Sequence, residues 1–132
     1  MNQWNTQVAV VERLKSYEPL CEFVGEQVYD DVPQGTKFPY VVVGEGDSVS
    51  YDDDCNTGAD SDVTIHVWSR YPGRKEAKQI LQTIYDALNR YGLVIEGSNT
   101  ILLEAEYQET FLDPDGLTRH GVIRFRLLTT HS

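Results

Sequence analysis

The segment of this chain that most suggests chemistry is acidic and rich in turn-forming residues: GDSVSYDDDCNTGAD, residues 46–60. Asp52, Asp54 and Asn56 alternate as the oxygen ligands of a calcium-binding loop do. However, threonine occupies the position of the sharp-turn glycine, and valine replaces the bidentate glutamate at the twelfth position. We therefore expect a long, exposed, acidic loop between two strands and no calcium site.

The histidines and cysteines do not form a recognisable site in the sequence. His66 and His120 could share one face of a sheet, but no third zinc ligand accompanies them. Cys21 and Cys55 lack the spacing of a metal or redox motif. The chain contains no GxSxG, HExxH, GxxxxGKS or GxGxxG motif. We expect no catalytic residue, no metal and no cofactor, and hence a protein that is not an enzyme.

Charge and hydropathy exclude two further classes of function. The 132 residues include 21 acidic and 11 basic side chains, giving a formal net charge of −10. This charge argues against binding nucleic acid through its phosphates. No apolar run approaches the roughly 20 residues that a membrane helix needs, and the first four residues do not resemble a signal peptide. These features predict a cytosolic protein with reduced thiols and no membrane partner.

Hydrophobic periodicity predicts the elements that must position any functional residue. Pro19 should end the first helix, because proline disfavours helix continuation. The run of β-branched residues in PYVVVGE favours a strand buried on both faces. In the next strand Val63, Ile65 and Val67 alternate with polar residues. The predicted helices cover residues 3–17 and 74–90, and the predicted strands cover residues 26–31, 39–45, 61–69, 101–111 and 121–129.

The last two strands are predicted to form a hairpin whose register follows from charge and hydropathy. The turn LDPDGL separates them. Centring the hairpin on Asp115 brings opposite charges together on one face and apolar residues on the other. The resulting pairs are Glu104 with Arg126, Glu106 with Arg124, Ala105 with Phe125 and Tyr107 with Ile123.

The order of these elements predicts an α+β fold, a two-layer sandwich with a mostly antiparallel sheet of four or five strands and two helices on one face. We expect one domain over residues 1–132. The uncovered sheet face would carry Trp68 beside His66 and Arg70. Two explanations for a tryptophan there remain open. It lies in a subunit interface, where tryptophan and arginine are enriched, or the first helix or the N-terminal segment wraps round and covers it.

Three segments in this order resemble a known family. They are VPQG followed by FPY, HVWSR leading into a helix, and a closing strand that begins HGV. Together they are similar to the tail-terminator, or tail-completion, proteins of long-tailed phages, prophages and gene-transfer agents. The resemblance extends from about residue 8 to residue 129.

The resemblance implies a structural role without catalysis. Such proteins form a ring, commonly a hexamer, on the finished tail tube. The ring stops polymerisation of the tube protein and presents a surface to the head-side connector protein. The implied location is the head-proximal end of the tail in a virion made in the bacterial host cytoplasm. DNA would pass through the ring without specific binding, since like charges repel.

We hypothesise two functional surfaces from this picture. The subunit interface would include Trp68, Arg70, Arg124 and Arg126. The acidic loop would face the lumen or a neighbouring ring with Asp52, Asp53, Asp54 and Asp60. Two alternatives also fit the sequence. One is a head–tail connector or stopper protein, and the other, of a different class, is a small acidic domain that binds a metal or another ligand.

Overall fold

A computed structural model describes residues 3–52 and 57–131, except for the side chain of Asp52. The helices are α1 (Gln3–Ser16), α2 (Glu18–Val24) and α3 (Lys75–Leu88). The strands are β1 (Val28–Tyr29), β2 (Tyr40–Val43), β3 (Ser48–Asp52), β4 (Thr57–Ser69), β5 (Ser98–Leu112) and β6 (Arg119–His131).

The strands form a single sheet in the order β1-β2-β4-β6-β5, and β3 pairs with β4 beyond the end of β2. Among the described strands, β1 and β2 are parallel, and the other pairs are antiparallel. The predicted α+β sandwich is confirmed, with one more strand and one more helix than expected. No helix in the described part of the chain is long and apolar enough to span a membrane.

The core lies between the helices and one face of the sheet. Val63, Ile65 and Val67 of β4 are buried there, as the alternation predicted. The neighbouring strand β6 adds Ile123 and Phe125 from the same face. The helices contribute the residues Val10, Leu14, Ile80, Leu81, Ile84 and Leu88, all of which are buried. The opposite face of the sheet is free to carry function.

The first helix ends before Pro19, as predicted, but the short helix that contains Pro19 was not predicted. α1 ends at Ser16, and α2 begins at Glu18 with proline in its first turn. Proline is tolerated there because the amide hydrogen it lacks would have no partner within the helix. Leu20 and Val24, one turn apart, bury the inner side of this short helix.

Two predictions about strands were wrong. The β2 strand is not buried on both faces, because Val41 and Val43 are buried while Tyr40 and Val42 are only half-buried. Residues 46–60 are not a loop, since they contain β3 and the start of β4. The Tyr51 ring lies against Gly58, its cross-strand partner, where a side chain would collide with it. The Tyr51 hydroxyl donates to the carbonyl oxygen of Thr129, 3.1 Å away.

The register of the β5–β6 hairpin is as predicted over only part of its length. Glu104 is opposite Arg126 and Ala105 is opposite Phe125. A β-bulge follows, so that Tyr107, and not Glu106, is opposite Arg124. The extra residue in a bulge shifts all later pairs by one position. The predicted pairing of Tyr107 with Ile123 is therefore wrong as well.

Candidate functional site

A row of aromatic rings crosses the sheet face that the core does not use. Each of the five strands in the main order contributes one ring, and neighbouring rings are in contact. From one edge of the sheet to the other, the row consists of Tyr29, Tyr40, Trp68, His120 and Phe111. We call this set the aromatic row.

Trp68 lies in the middle of the aromatic row and is half-buried. Its ring stacks on His120 with a centroid distance of 3.8 Å and an interplanar angle of 14°. On its other side the Tyr40 centroid is 6.5 Å away. The contacts described for Trp68 therefore come from adjacent strands, and α1 packs with the other helices and with β1 and β2. The described contacts therefore give no support to the explanation that the first helix covers Trp68.

The β-bulge accounts for the position of Phe111 on the outer face of the sheet. Beyond the bulge Phe111 pairs with His120, and its ring meets the His120 ring edge-on at 4.6 Å. Tyr107 moves to the same outer face, where the Arg124 guanidinium lies 5.5 Å from its ring centroid. Because the bulge leaves no periodicity that marks it, the sequence offered no signal for these two aromatic residues.

A chain of short hydrogen bonds lies beside the aromatic row. Glu45 Oε1 is 2.6 Å from His66 Nε2, and His66 Nδ1 is 2.7 Å from His120 Nε2. The hydrogen bond with His66 lowers the pKa of the Glu45 carboxyl. Burial, together with the nearby His66, lowers the pKa of His120. One nitrogen of the histidine pair must donate and the other accept, so the pair is intact only when His120 or His66 is neutral.

Arg70 ties the end of β4 to the β5–β6 turn. Its Nε donates to Thr118 Oγ1 at 3.1 Å, and its guanidinium lies 4.4 Å from the Phe38 ring centroid. Asp115 accepts bonds from the Thr118 hydroxyl and from the amides of Thr118 and Leu117. These bonds, the Thr118 hydroxyl foremost, lower the Asp115 pKa to about 2. The Asp115 carboxylate is therefore ionised, and able to accept these bonds, over the whole physiological range of pH.

The remaining predicted site residues fall into two groups. Arg126 forms a two-pronged ion pair with Asp60, with atoms separated by 2.8 and 3.1 Å. Asp60 is thus part of β4, and Arg126 balances its negative charge. Its assignment to an acidic loop was wrong. Asp53, Asp54 and the side chain of Asp52 lie outside the described residues. Among the described residues, no group of three or more histidine, cysteine, aspartate or glutamate side chains could hold a metal ion.

The sequence match that identifies the family covers most of the chain. Residues 8–130 match the family described as tail completion protein gp17. The chain belongs to this family. It is 33% identical, over 120 residues, to the tail completion protein gp17 of Bacillus phage SPP1, covering 91% of this chain and 88% of the relative.

Two solved structures share the fold. A chain from the virion of a native gene transfer agent particle superposes with a TM-score of 0.87 at 28% identity, covering 94% of this chain and 93% of that one. The bacteriophage SPP1 gp17 protein gives a TM-score of 0.59 at 31% identity, covering 92% of this chain and 86% of that one. As a tail completion protein, the chain has a structural role in tail assembly and is not an enzyme.

Proposed function

We propose that this protein closes the finished tail tube as a ring of identical subunits, most simply a hexamer, at the head-proximal end of the tail. The ring stops addition of tube protein and offers a surface to the head-side connector. The observation that carries the proposal is the aromatic row on a sheet face that the described helices leave uncovered. The superposition on a chain from an assembled particle, at a TM-score of 0.87, supports it.

The subunit interface of this ring would be built around Trp68, with Arg70, Arg124 and Arg126 beside it. Each arginine is already oriented by a partner in its own chain, over an aromatic ring or against a carboxylate. Side chains that are fixed before association lose less conformational entropy on binding. This pre-organisation favours their use as contacts for a second copy.

The lumen would be lined by the acidic segment of the sequence that includes Asp52, Asp53 and Asp54. In a chain of net charge −10, such a surface repels phosphates and lets DNA slide past. Replacing the three aspartates with asparagine should slow DNA passage while leaving tail length unchanged. Unchanged rates of DNA ejection in the triple variant would contradict this assignment.

Deletion of the gene in its parent phage or particle tests the main proposal. Tail lengths are measured by electron microscopy, and the wild-type protein is then supplied from a plasmid. We expect overlong tubes without heads, and recovery on complementation. Tails of normal length that fail to join heads would indicate a connector or stopper protein instead. Normal, infectious particles would refute both assignments.

A further inference from the structure

A groove runs along the uncovered sheet face beside the aromatic row. His66 and His120 form part of its floor. One wall is the connection between β2 and β3, with Glu45 and Asp47, and the other wall is β5, with Glu109. The Phe111 and Tyr107 rings, which the β-bulge turns to this face, also line the second wall. The groove therefore combines aromatic surfaces with carboxylates on both sides.

The charge of the groove suits a cationic occupant. Among the described residues, its lining includes four acidic side chains, Glu45, Asp47, Asp62 and Glu109, and one arginine, Arg124. Arg124 lies over the Tyr107 ring, whereas the Phe111 ring contacts only histidine among the ring contacts found in the described residues. Aromatic faces beside carboxylates attract lysine and arginine side chains through cation–π and ionic interactions together.

A positively charged segment of the same chain complements the negative charge of the groove. No lysine or arginine occurs between residues 38 and 69, whereas Arg74, Lys75 and Lys78 follow closely at the start of α3. All three are exposed, and none forms an ion pair within the described residues. The carboxylate of Glu76, the acidic residue in this turn, instead accepts from Ser69 Oγ at 2.8 Å.

The position of these cations is unfavourable for the isolated subunit. The N-terminal end of a helix carries a partial positive charge, so that lysine there is disfavoured. Like charges one turn apart, as at Lys75 and Lys78, repel each other as well. An anionic surface supplied from outside the subunit would reverse both effects.

We propose that the groove receives the start of α3 of a second copy of this chain, a contact that rests on the proposed ring and names what fills its interface. The groove lies on the uncovered face of the sheet, and α3 lies on the covered face. Each copy therefore uses two different surfaces, and such head-to-tail contacts close into a ring when the rotation permits.

Charge reversal provides the first test. The pair Lys75→Glu and Lys78→Glu makes the start of α3 negative. The pair Asp47→Lys and Glu109→Lys makes the groove positive. Each pair alone should lower the yield of joined particles by about tenfold or more, because like charges would face each other across the interface. Combining all four substitutions should restore most of the yield. Lys15→Glu with Lys37→Glu, two exposed lysines elsewhere, is the matched control and should have little effect.

Cross-linking locates the contact directly. A photoreactive benzoylphenylalanine replaces Gln79, an exposed residue one turn after Lys75 that leaves the cations in place. Assembled particles are purified and irradiated, and the linked peptides are identified by mass spectrometry. We expect a link to the Glu109 peptide of a second copy. A link to another tail protein or to a different surface, or no recovery in the fourfold variant, would overturn this inference and leave the proposed ring standing. Normal tails after gene deletion would instead remove the proposed function.

Discussion

Trp68→Ala separates the contribution of the aromatic row to folding from its contribution to assembly. The substitution removes a close stack on His120 and a longer contact with Tyr40. Aromatic pairs contribute about 0.5–1.5 kcal/mol each beyond the area that they bury, so the two lost ring contacts alone should lower the free energy of unfolding by about 1–3 kcal/mol. Small domains are stable by about 5–15 kcal/mol. We therefore expect the variant to fold and yet fail to support tail completion.

Urea unfolding of the purified protein measures the first effect, and complementation of a gene deletion measures the second. Trp4→Ala is the matched control, because Trp4 is 63% exposed on α1, and it should change neither quantity appreciably. Phe125→Ala serves as the reference for a core residue and should lower the free energy of unfolding by about 3–5 kcal/mol. A loss from Trp68→Ala as large as that would mean that the tryptophan belongs to the core. Full complementation by a folded Trp68→Ala protein would refute its place in the interface.

Three further predictions address pH, packing and register. The lowered pKa of His120 means that the folded state takes up its proton less readily than the unfolded state. The free energy of unfolding is therefore highest when the pH lies above the ordinary histidine pKa of 6.5, and it decreases as the pH falls below that value. Urea unfolding at pH values between about 7.5 and 5.5 should show a slope of at most about 1.4 kcal/mol per pH unit from this proton, and His120→Phe should remove it. Gly58→Ala places a methyl group 2.6 Å from Cζ of Tyr51 and should destabilise the fold by about 1–3 kcal/mol in the same assay, whereas Gly92→Ala enters open space and should not. Deleting Glu106 removes the bulge but keeps every later pair, so near-normal thermal stability is expected. Deleting Gln108 either moves Phe111 away from His120 or closes the bulge by turning the Tyr107 ring toward the core opposite Ile123. Both outcomes should lower the melting temperature clearly, and equal effects of the two deletions would contradict the observed register.

Local periodicity was sufficient to predict the elements that bury a clear face. The apolar stripe of α3 faces the core, where Ile80, Leu81, Ile84 and Leu88 are buried and Tyr85 is partly exposed. The alternation in β4 likewise predicted which face meets the core. These patterns predicted burial correctly because the environment of each residue depends on its own element and on the single hydrophobic layer beneath it.

The features that the sequence did not predict depend on contacts between elements. β3 was missed because serine and aspartate favour turns, and because Tyr51 is fixed by Gly58 and Thr129, which are distant in sequence. α2 was missed because seven residues are too few to show periodicity and proline was interpreted as a helix breaker. The bulge was missed because the pairs at Glu104 and Ala105 satisfy both the regular register and the bulged one.

The sequence did not predict the aromatic row, because five separate strands contribute one ring each. The composition of the row explains how a tryptophan can lie on the polar face of β4. His120 and Tyr40 cover the flanks of Trp68, so the ring is partly removed from water without any helix above it. The outward surface of the row remains available, and Phe111 at its far end is still 37% exposed. Packing along the sheet thus lowers the free-energy penalty of an exposed indole while it keeps the ring rigid. A rigid, half-exposed aromatic row beside oriented arginines suits the proposed subunit interface, because such a surface is ordered before a second copy binds it.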